Sequence, residues 1–253
     1  RTRIFGNMAL SYEFTDWLTV TGRAMTDVYT DRREERAAIG SVEEPFYEEV
    51  VRQVSESNFD LIANVNTELS DDFTLSGFVG GNIRLNNQYR NEARTQDGLN
   101  IPGFFNIANS GGNPRVDDYF EEKQVNSLFG SASFGYRDFL YLDVTARNDW
   151  SSTLPEENNS YFYPSATASF VFSELVGPSW LSLGKVRLGW AQVGNDTDPY
   201  RLASTYIPIA NYGSFANATV PNRLNNANLK PEITTSMEAG LQLGFFNSRL
   251  NLD

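Results

Sequence analysis

Apolar and polar residues alternate with a period of two along much of the chain. From Met8 to Phe14 every second residue is apolar, and small or polar residues stand between them. After a turn at Thr15–Trp17 the alternation resumes and runs to Val28. A period of two is the repeat of a β-strand with unlike faces. The pattern therefore predicts a β-hairpin at the start of the chain.

The same alternation predicts four further hairpins. Their apolar positions lie in Phe59–Leu69 and Phe73–Ile83, Leu128–Tyr136 and Leu140–Ala146, Ala166–Phe172 and Val186–Trp190, and Met237–Phe245 with a new alternation after it. We predict roughly nine strands and the start of another, in an all-β protein with an antiparallel sheet.

The connections between these strands alternate between short and long. Turns are short near residues 16, 71, 137 and 247, and a looser turn lies at about Glu174–Leu183. Long, polar connections are predicted at about Thr30–Asn58, Leu85–Lys123 and Gly194–Leu229. Short turns at one end and long loops at the other are typical of outer-membrane β-barrels.

One face of the predicted strands avoids charge. The apolar phase carries no Asp, Glu, Lys or Arg, whereas the other phase carries Glu13, Arg23, Asp60, Glu68, Asp143, Arg147, Arg187 and Glu238. This pattern fits a soluble β-sandwich, whose apolar face packs inward, as well as a transmembrane barrel, whose apolar face meets lipid. Two groups of aromatic residues near the strand ends resemble interfacial girdles and, with the loop asymmetry, favour the barrel. The unequal spacing of the turns is unlike a propeller.

Composition narrows the function classes. The 253 residues carry a net charge of −12, which opposes binding to nucleic acid, because such binding relies on clustered Lys and Arg. The sequence has no Cys and no His, so thiolate metal sites and the usual near-neutral acid–base catalyst are missing. No apolar run approaches the roughly 18 residues of a membrane helix. We predict no enzyme activity, no cofactor and no metal site.

Acidic residues occur in adjacent pairs, nearly all in predicted loops or turns. The pairs are Glu43–Glu44, Glu48–Glu49, Asp71–Asp72, Asp117–Asp118, Glu121–Glu122 and Glu156–Glu157. Neighbouring residues on an extended chain point apart, so solvated surface is the better interpretation than a catalytic pair. A calcium site in "RVDDYFEE" is conceivable, but this segment lacks the ligand spacing and the glycine of a calcium loop.

Three stretches in the second half of the chain carry recognisable motifs. They are "YLDVTARNDWSSTLPEENNSYFYPSATASFVFSEL" at Tyr141–Leu175, "GKVRLGWAQVGNDTDPY" at Gly184–Tyr200 and "NLKPEITTSMEAGLQLGFFNSRLNLD" at Asn228–Asp253. They resemble the SusC/RagA family of TonB-dependent outer-membrane transporters. The hairpin at Tyr12–Arg33 resembles an earlier strand pair of the same barrel, so the resemblance spans nearly the whole chain.

The resemblance implies a multi-pass barrel of about 22 strands in the outer membrane, with an N-terminal plug. It also implies energy coupling to TonB, import of oligosaccharides or peptides, and a SusD-like lipoprotein on the outer side. No plug or TonB box is recognisable, so we expect residues 1–253 to be a piece of the barrel domain, with TonB contacting another part of the protein. A passive porin and a soluble β-sandwich binding module are the alternatives.

Aromatic residues with amide or charged neighbours are the candidate ligand contacts, because such rings stack on sugars or hold peptides. The candidates are Asn148, Asp149, Trp150, Tyr161, Tyr163, Tyr200 and Arg201. Rings at a membrane interface need no ligand, so a girdle or packing role is the competing interpretation.

Overall fold

A computed structural model describes residues 1–175, 177–178 and 180–253. In these residues the chain forms twelve β-strands and two single-turn 3₁₀ helices. The strands are β1 (Thr2–Thr15), β2 (Leu18–Ala37), β3 (Phe46–Ser70), β4 (Phe73–Arg94), β5 (Arg115–Tyr136), β6 (Leu140–Ser151), β7 (Ser160–Val171), β8 (Leu181–Asn195), β9 (Ile207–Tyr212), β10 (Phe215–Thr219), β11 (Glu232–Phe245) and β12 (Leu250–Leu252). The helices are η1 (Ile107–Asn109) and η2 (Phe172–Glu174). No helix among the described residues has the length and apolarity to cross a membrane.

Ten strands of the described chain form one sheet in the order β1-β2-β3-β4-β5-β6-β7-β8-β11-β12, and β9 and β10 form a separate two-stranded ribbon. From β5 to β8 each strand pairs antiparallel with the next, and β11 pairs antiparallel with β8 and with β12. The prediction of an all-β sheet with nine strands and the start of another is confirmed. The last strand is the short β12.

Two compact units make up the described chain. Unit 1 contains Arg1–Met8, Arg23–Phe59 and Arg84–Gln124, and unit 2 contains Ala9–Gly22, Asp60–Ile83 and Val125–Asp253. The connections from β2 to β3 and from β4 to β5 belong to unit 1. The two-residue turns of the first hairpins and all strands from β6 onward belong to unit 2.

The predicted loop at Thr30–Asn58 is mostly strand and about half of the one at Leu85–Lys123 is strand, so this part of the prediction is wrong. The β2–β3 connection covers only residues 38–45, and the β4–β5 connection covers residues 95–114. In the added segments of β2 and β3 both phases carry charged residues: Arg32 and Glu49, each on the face that is apolar nearer the short turn, pair at 3.0 Å. The strands therefore extend beyond the segments in which apolar and polar residues alternate.

The third long connection is confirmed and contains structure that the sequence pattern did not predict. Residues 196–231 join β8 to β11 and include the β9–β10 ribbon. The looser turn predicted at Glu174–Leu183 begins with η2, and it includes Val176 and Ser179, which lie outside the described residues.

The short turns lie where the alternation predicted them. Asp71 and Asp72 join β3 to β4, and Arg137 and Asp138 begin the turn from β5 to β6 with φ values of 46° and 56°, the left-handed conformation of tight hairpins. The Arg137 Nε donates to Asp72 Oδ1 at 2.8 Å, which links the two turns. This hydrogen bond from the Arg137 guanidinium lowers the pKa of the Asp72 carboxyl.

Strand register keeps the apolar residues of unit 2 in continuous rows. Leu142 lies opposite Phe134 of β5 and Ala168 of β7, and Leu188 of β8 lies opposite both Ala168 and Ala239 of β11. The neighbouring row is polar, because Asp143 lies between Ser133 and Thr167 and donor–acceptor pairs form along it.

The apolar rows are exposed. Leu142, Leu188 and Leu241 expose 43%, 57% and 51% of their surface. The buried apolar residues among those described are only Phe46, Tyr47, Val125, Leu154, Tyr161 and Val171. A β-sandwich would bury its apolar face against a second sheet, whereas a continuous exposed apolar face is suited to lipid. The face therefore fits the transmembrane prediction.

We expect substitution with arginine to separate the two faces. Leu142→Arg or Leu241→Arg in the full-length protein should destabilise the folded state by about 2–4 kcal/mol for a residue near the bilayer midplane. Thr145→Arg, on the polar face of the same strand as Leu142, is the matched control and should be mild. The measurement is urea unfolding in lipid vesicles. Equal unfolding midpoints for all three variants would contradict the lipid-facing assignment.

Candidate functional site

The candidate residues on β6 and β7 divide between the two faces of the sheet. Asp149 lies opposite Tyr161, and Arg147 lies opposite Tyr163, all on the polar face. Asn148 and Trp150 alternate with them and point to the other face, where Trp150 is 40% exposed. An exposed tryptophan at the end of an apolar face fits an interfacial girdle.

Tyr200 and Arg201 lie apart from these strands, in the connection after β8. Arg201 donates to Asp198 at 3.3 Å, and Tyr200 is 61% exposed with a φ of 60°. A role of Tyr200 and Arg201 in ligand binding remains a prediction.

Asp149, Tyr161 and Tyr163 are brought together around Arg147, a residue that sequence reasoning placed on the polar phase but did not name as a site residue. The Arg147 Nε donates to Asp149 Oδ1 at 2.8 Å, and the Tyr163 hydroxyl donates to Asp149 Oδ2. The rings of Tyr161 and Tyr163 stack with their centroids 5.9 Å apart. We call Arg147, Asp149, Tyr161 and Tyr163 the Arg147 cluster.

The Arg147 cluster offers a guanidinium and little else to a ligand. The Asp149 side chain is 9% exposed and already accepts two hydrogen bonds, so its charge is committed within the protein. Tyr161 is buried, whereas the Arg147 side chain is 35% exposed. Arg147 also donates to Ser127 Oγ at 2.7 Å and lies over the Phe129 ring at 5.1 Å. Arg147 is therefore the most accessible charged member of the cluster, with its charge already paired to Asp149.

Two connections are fixed beside this cluster. Ser151, at the end of β6, is almost fully buried, donates to Asp196 of the β8–β11 connection and lies 2.9 Å from the Thr153 hydroxyl. Gly194 of β8 packs so closely against the Tyr161 ring that a Cβ would stand 2.5 Å from its Cδ2. The loops beside the cluster are therefore held by hydrogen bonds and close packing.

Unit 1 carries a second polar surface, on β2 to β5. Its side chains alternate with the apolar positions of these strands and so belong to the polar face. Asp31 in β2, Glu48 in β3, Arg90 in β4 and Asp117 in β5 lie on that face. We call this surface the charged wall and define it as Asp31, Arg33, Glu35, Glu48, Arg52, Arg90, Glu92, Arg94 and Asp117. Arg94 pairs with Glu48 at 3.3 Å, Arg90 pairs with Asp117 at 3.1 Å, and Arg52 donates to Gln88.

Three of the acidic pairs that were predicted in loops lie in strands. Glu48–Glu49 lies in β3, and Asp117–Asp118 and Glu121–Glu122 lie in β5, although all were predicted in loops. The proposed calcium segment is thus the first part of β5, where Asp117 pairs with Arg90 and Asp118 accepts from Asn91. Among the described residues, no group of three or more His, Cys, Asp or Glu is arranged to hold a metal ion.

Two cavities open on the charged wall and its loops. One, of about 500 Å³, is lined by the two connecting loops of unit 1 and includes Glu43, Glu44, Phe46, Arg94, Asp97 and Arg115. The other, of about 290 Å³, lies between β2, β3 and β4 and includes Glu35, Glu48, Arg52, Arg90 and Glu92. Sequence reasoning missed both because it treated these residues as loop; the alternation of charge along β4 is the signal that could have found them.

A family model described as "TonB dependent receptor-like, beta-barrel" matches residues 2–253. The chain belongs to this family of TonB-dependent receptor β-barrels. Among curated relatives, the TonB-dependent receptor P26 of Formosa agariphila is 30% identical over 58% of this chain and 16% of its own length. The TonB-dependent receptor SusC of Bacteroides thetaiotaomicron is 29% identical over 52% of this chain and 14% of its own length. The chain thus matches a small part of these TonB-dependent receptors.

Solved structures show the same fold. A chain of the RagAB peptide transporter superposes with a TM-score of 0.84 over 98% of this chain and 30% of its own length, at 18% identity. The RagAB peptide importer in its "open-open" state gives a TM-score of 0.78 over the same share of this chain. The resemblance to the SusC/RagA family is confirmed, and the fold is that of a TonB-dependent receptor barrel.

The packing beside the Arg147 cluster predicts that Gly194→Ala destabilises this receptor. The new methyl group would overlap the buried Tyr161 ring, and such overpacking costs about 1–3 kcal/mol. Gly189→Ala in the same strand is the control, because the nearest atom to its Cβ is Thr167 Oγ1 at 3.8 Å. The measurement is thermal unfolding of the full-length protein in detergent. Equal melting temperatures for the two variants would contradict the close packing of Tyr161.

Proposed function

We propose that the chain is part of a TonB-dependent outer-membrane active importer that moves oligosaccharides or peptides without covalent chemistry. The observation that carries the proposal is the sheet of unit 2, with one exposed apolar face for lipid and one polar face with the Arg147 cluster. Membership of the receptor family supports the energised mechanism. The protein lies in the outer membrane as a multi-pass barrel.

Residues 1–253 contribute part of the barrel domain of this importer. TonB acts through a part of the protein that is not in this chain, and a SusD-like lipoprotein covers the extracellular side. The similarity to SusC, and to a chain of a two-component peptide transporter, supports this assembly. Arg147 and the charged wall are the ligand contacts best supported by geometry, and Tyr200 and Arg201 are further contacts in the β8–β11 connection.

A passive porin would share the two-faced sheet, so energy dependence is the property that separates the two functions. We expect cells that carry the full-length receptor to accumulate labelled peptides or oligosaccharides only while TonB is present. Deletion of TonB, or a protonophore, should reduce uptake to the level of cells without the receptor. Uptake that continues unchanged in the TonB deletion would contradict active import and favour the porin.

The topology makes an independent prediction. The connections at residues 38–45 and 196–206 lie on the side of the long loops, so protease added to intact cells should cut there. An epitope tag inserted between Asp71 and Asp72 lies in a short turn, on the periplasmic side, and should bind antibody only after the outer membrane is broken. Antibody binding to this tag on unbroken cells would invert or refute the proposed topology.

A further inference from the structure

We infer that the outward face of unit 2, the face opposite the Arg147 cluster, binds a lipid whose headgroup is an uncharged sugar. The site lies on β5, β6 and β7, next to the connection from β6 to β7. We call it the outward patch and define it as Asn126, Leu128, Asn148, Trp150, Ser160 and Phe162. The inference goes beyond the import function, because the patch lies outside the polar face that import would use.

Strand register arranges the outward patch in two rows of cross-strand neighbours. The row nearer the β6–β7 connection is Asn126, Trp150 and Ser160, and the row beneath it is Leu128, Asn148 and Phe162. Asn148 is half-buried, and the other members are exposed. The next rows towards the short turns hold only small or apolar residues, namely Gly130, Ala146 and Pro164, then Ala132, Val144 and Ala166. The patch is therefore the first place where polar side chains occur at the end of the apolar face of these strands.

Asn148 and Ser160 hold each other on one diagonal of the patch. The Asn148 Nδ2 donates to the Ser160 Oγ at 3.0 Å, and the Ser160 Oγ donates to the Asn148 Oδ1 at 3.3 Å. A side-chain amide has two protons and two oxygen lone pairs, so these bonds leave one donor and one acceptor of Asn148 for a ligand. A sugar hydroxyl both donates and accepts, and so matches this amide.

Trp150 and Phe162 occupy the other diagonal and are 40% and 56% exposed. In a twisted sheet only one diagonal of such a square is short, and here the hydrogen-bonded pair takes it. The two rings therefore lie on either side of the Asn148 amide. The face of an aromatic ring is negative and attracts the weakly positive C–H groups of a sugar ring. The patch thus offers a sugar both hydrogen bonds and stacking surfaces.

The charges around the outward patch disfavour a phosphate headgroup. The outward positions of β6, of β7 and of β5 from Asn126 onward carry no charged residue. The β6–β7 connection beside the patch carries Glu156 and Glu157, and both are exposed. A phosphate is bound by Arg or Lys and is repelled by carboxylates. An uncharged sugar headgroup needs no cation and meets no repulsion here.

The strands beneath the outward patch are held firmly. Val125 and Ser151, the chain neighbours of Asn126 and Trp150, lie opposite each other and are each 1% exposed. The Ser151 amide donates to the Asn159 carbonyl at 3.0 Å, which closes the β6–β7 connection at its base. A preorganised surface loses less entropy when it binds a ligand.

The occupant is a lipid, rather than a soluble sugar, because the patch continues the apolar face. Leu128 within the patch is 56% exposed, and Phe134 and Leu142 further along the same face are each 43% exposed. Acyl chains cover this face in the proposed topology, so a sugar at the patch lies in the headgroup layer of the extracellular side. A lipid in that layer places its headgroup and its chains on both parts of the surface at once.

The test counts the lipids that the full-length receptor retains in native mass spectrometry. The receptor is released from micelles with equal amounts of digalactosyl diacylglycerol, phosphatidylglycerol and phosphatidylcholine, all with the same acyl chains. We expect the digalactosyl lipid to be retained most. Asn148→Leu should reduce its retention about tenfold, because two hydrogen bonds to the sugar are lost. Trp190→Leu is the matched control and should retain the lipid unchanged, because this outward tryptophan of β8 lies between Ala166 and Met237.

Each outcome decides the inference. Equal retention of the three lipids, retention of none, or a preference for phosphatidylglycerol would overturn the sugar headgroup. Displacement of the lipid by free digalactose at the same concentration would overturn the lipid as the occupant. Equal retention by the Asn148 and Trp190 variants would overturn the site, and Ser160→Ala, which removes the partner of Asn148, gives the same decision if Asn148→Leu does not fold. None of these results bears on energy coupling, which the TonB deletion tests separately.

Discussion

The structure depends on one constraint, that a backbone within lipid must satisfy all its amide and carbonyl groups internally. The sheet meets it by long antiparallel ladders, of which β8–β11 runs from Glu232 opposite Asn195 to Phe245 opposite Leu181. Once the ladder is set, side chains alternate strictly between lipid and the polar side. A slip of one residue would move Asp143 and Arg187 into lipid, so the hydrophobic pattern and the register specify one another.

The same ladder continues where the lipid constraint ends. In β3 the face that carries Phe59 and Leu61 is apolar. Nearer the start of the strand the same face carries Glu49. From there both faces carry polar residues, and cross-strand ion pairs replace lipid contacts. A surface with charges on fixed strands results, and it is there that the cavities and buried guanidinium nitrogens lie. In this part of β3 the side chains of both faces are therefore suited to water.

The contrast between the lipid-facing and the charged parts of the strands explains which strand segments the sequence could predict. The strands around Leu142, Leu188 and Leu241 were predicted because lipid on one face and polar surroundings on the other impose a period of two. The first half of β3 was missed because charges on both phases erase that period while the hydrogen-bond ladder persists. The end of β4 was missed because its uncharged phase mixes Asn87 and Asn91 with Tyr89 and Ala93 and so shows no apolar period. The β9–β10 ribbon was missed because its five- and six-residue strands lie inside a polar connection.

The candidate site shows the same limit at the level of single residues. Sequence reasoning found Asp149, Tyr161 and Tyr163 from their residue types but grouped them with Asn148 and Trp150, which register places on the opposite face. It could not name Arg147 as their partner, since the hydrogen bonds to Asp149 and Ser127 depend on tertiary pairing. The Phe46–Arg94 stack likewise joins residues far apart in the chain.

We expect β3 to span lipid over Phe59–Leu69 and to continue into water over Phe46–Asn58. The most direct measurement places single cysteines along β3 in a cysteine-free full-length receptor in vesicles and records the accessibility of attached spin labels to oxygen and to a water-soluble nickel complex. We expect oxygen accessibility with a period of two over Phe59–Leu69 and access of the nickel complex to both phases nearer Phe46. Exclusion of oxygen from the phase of Leu61, or an oxygen period of two that persists to Phe46, would contradict it.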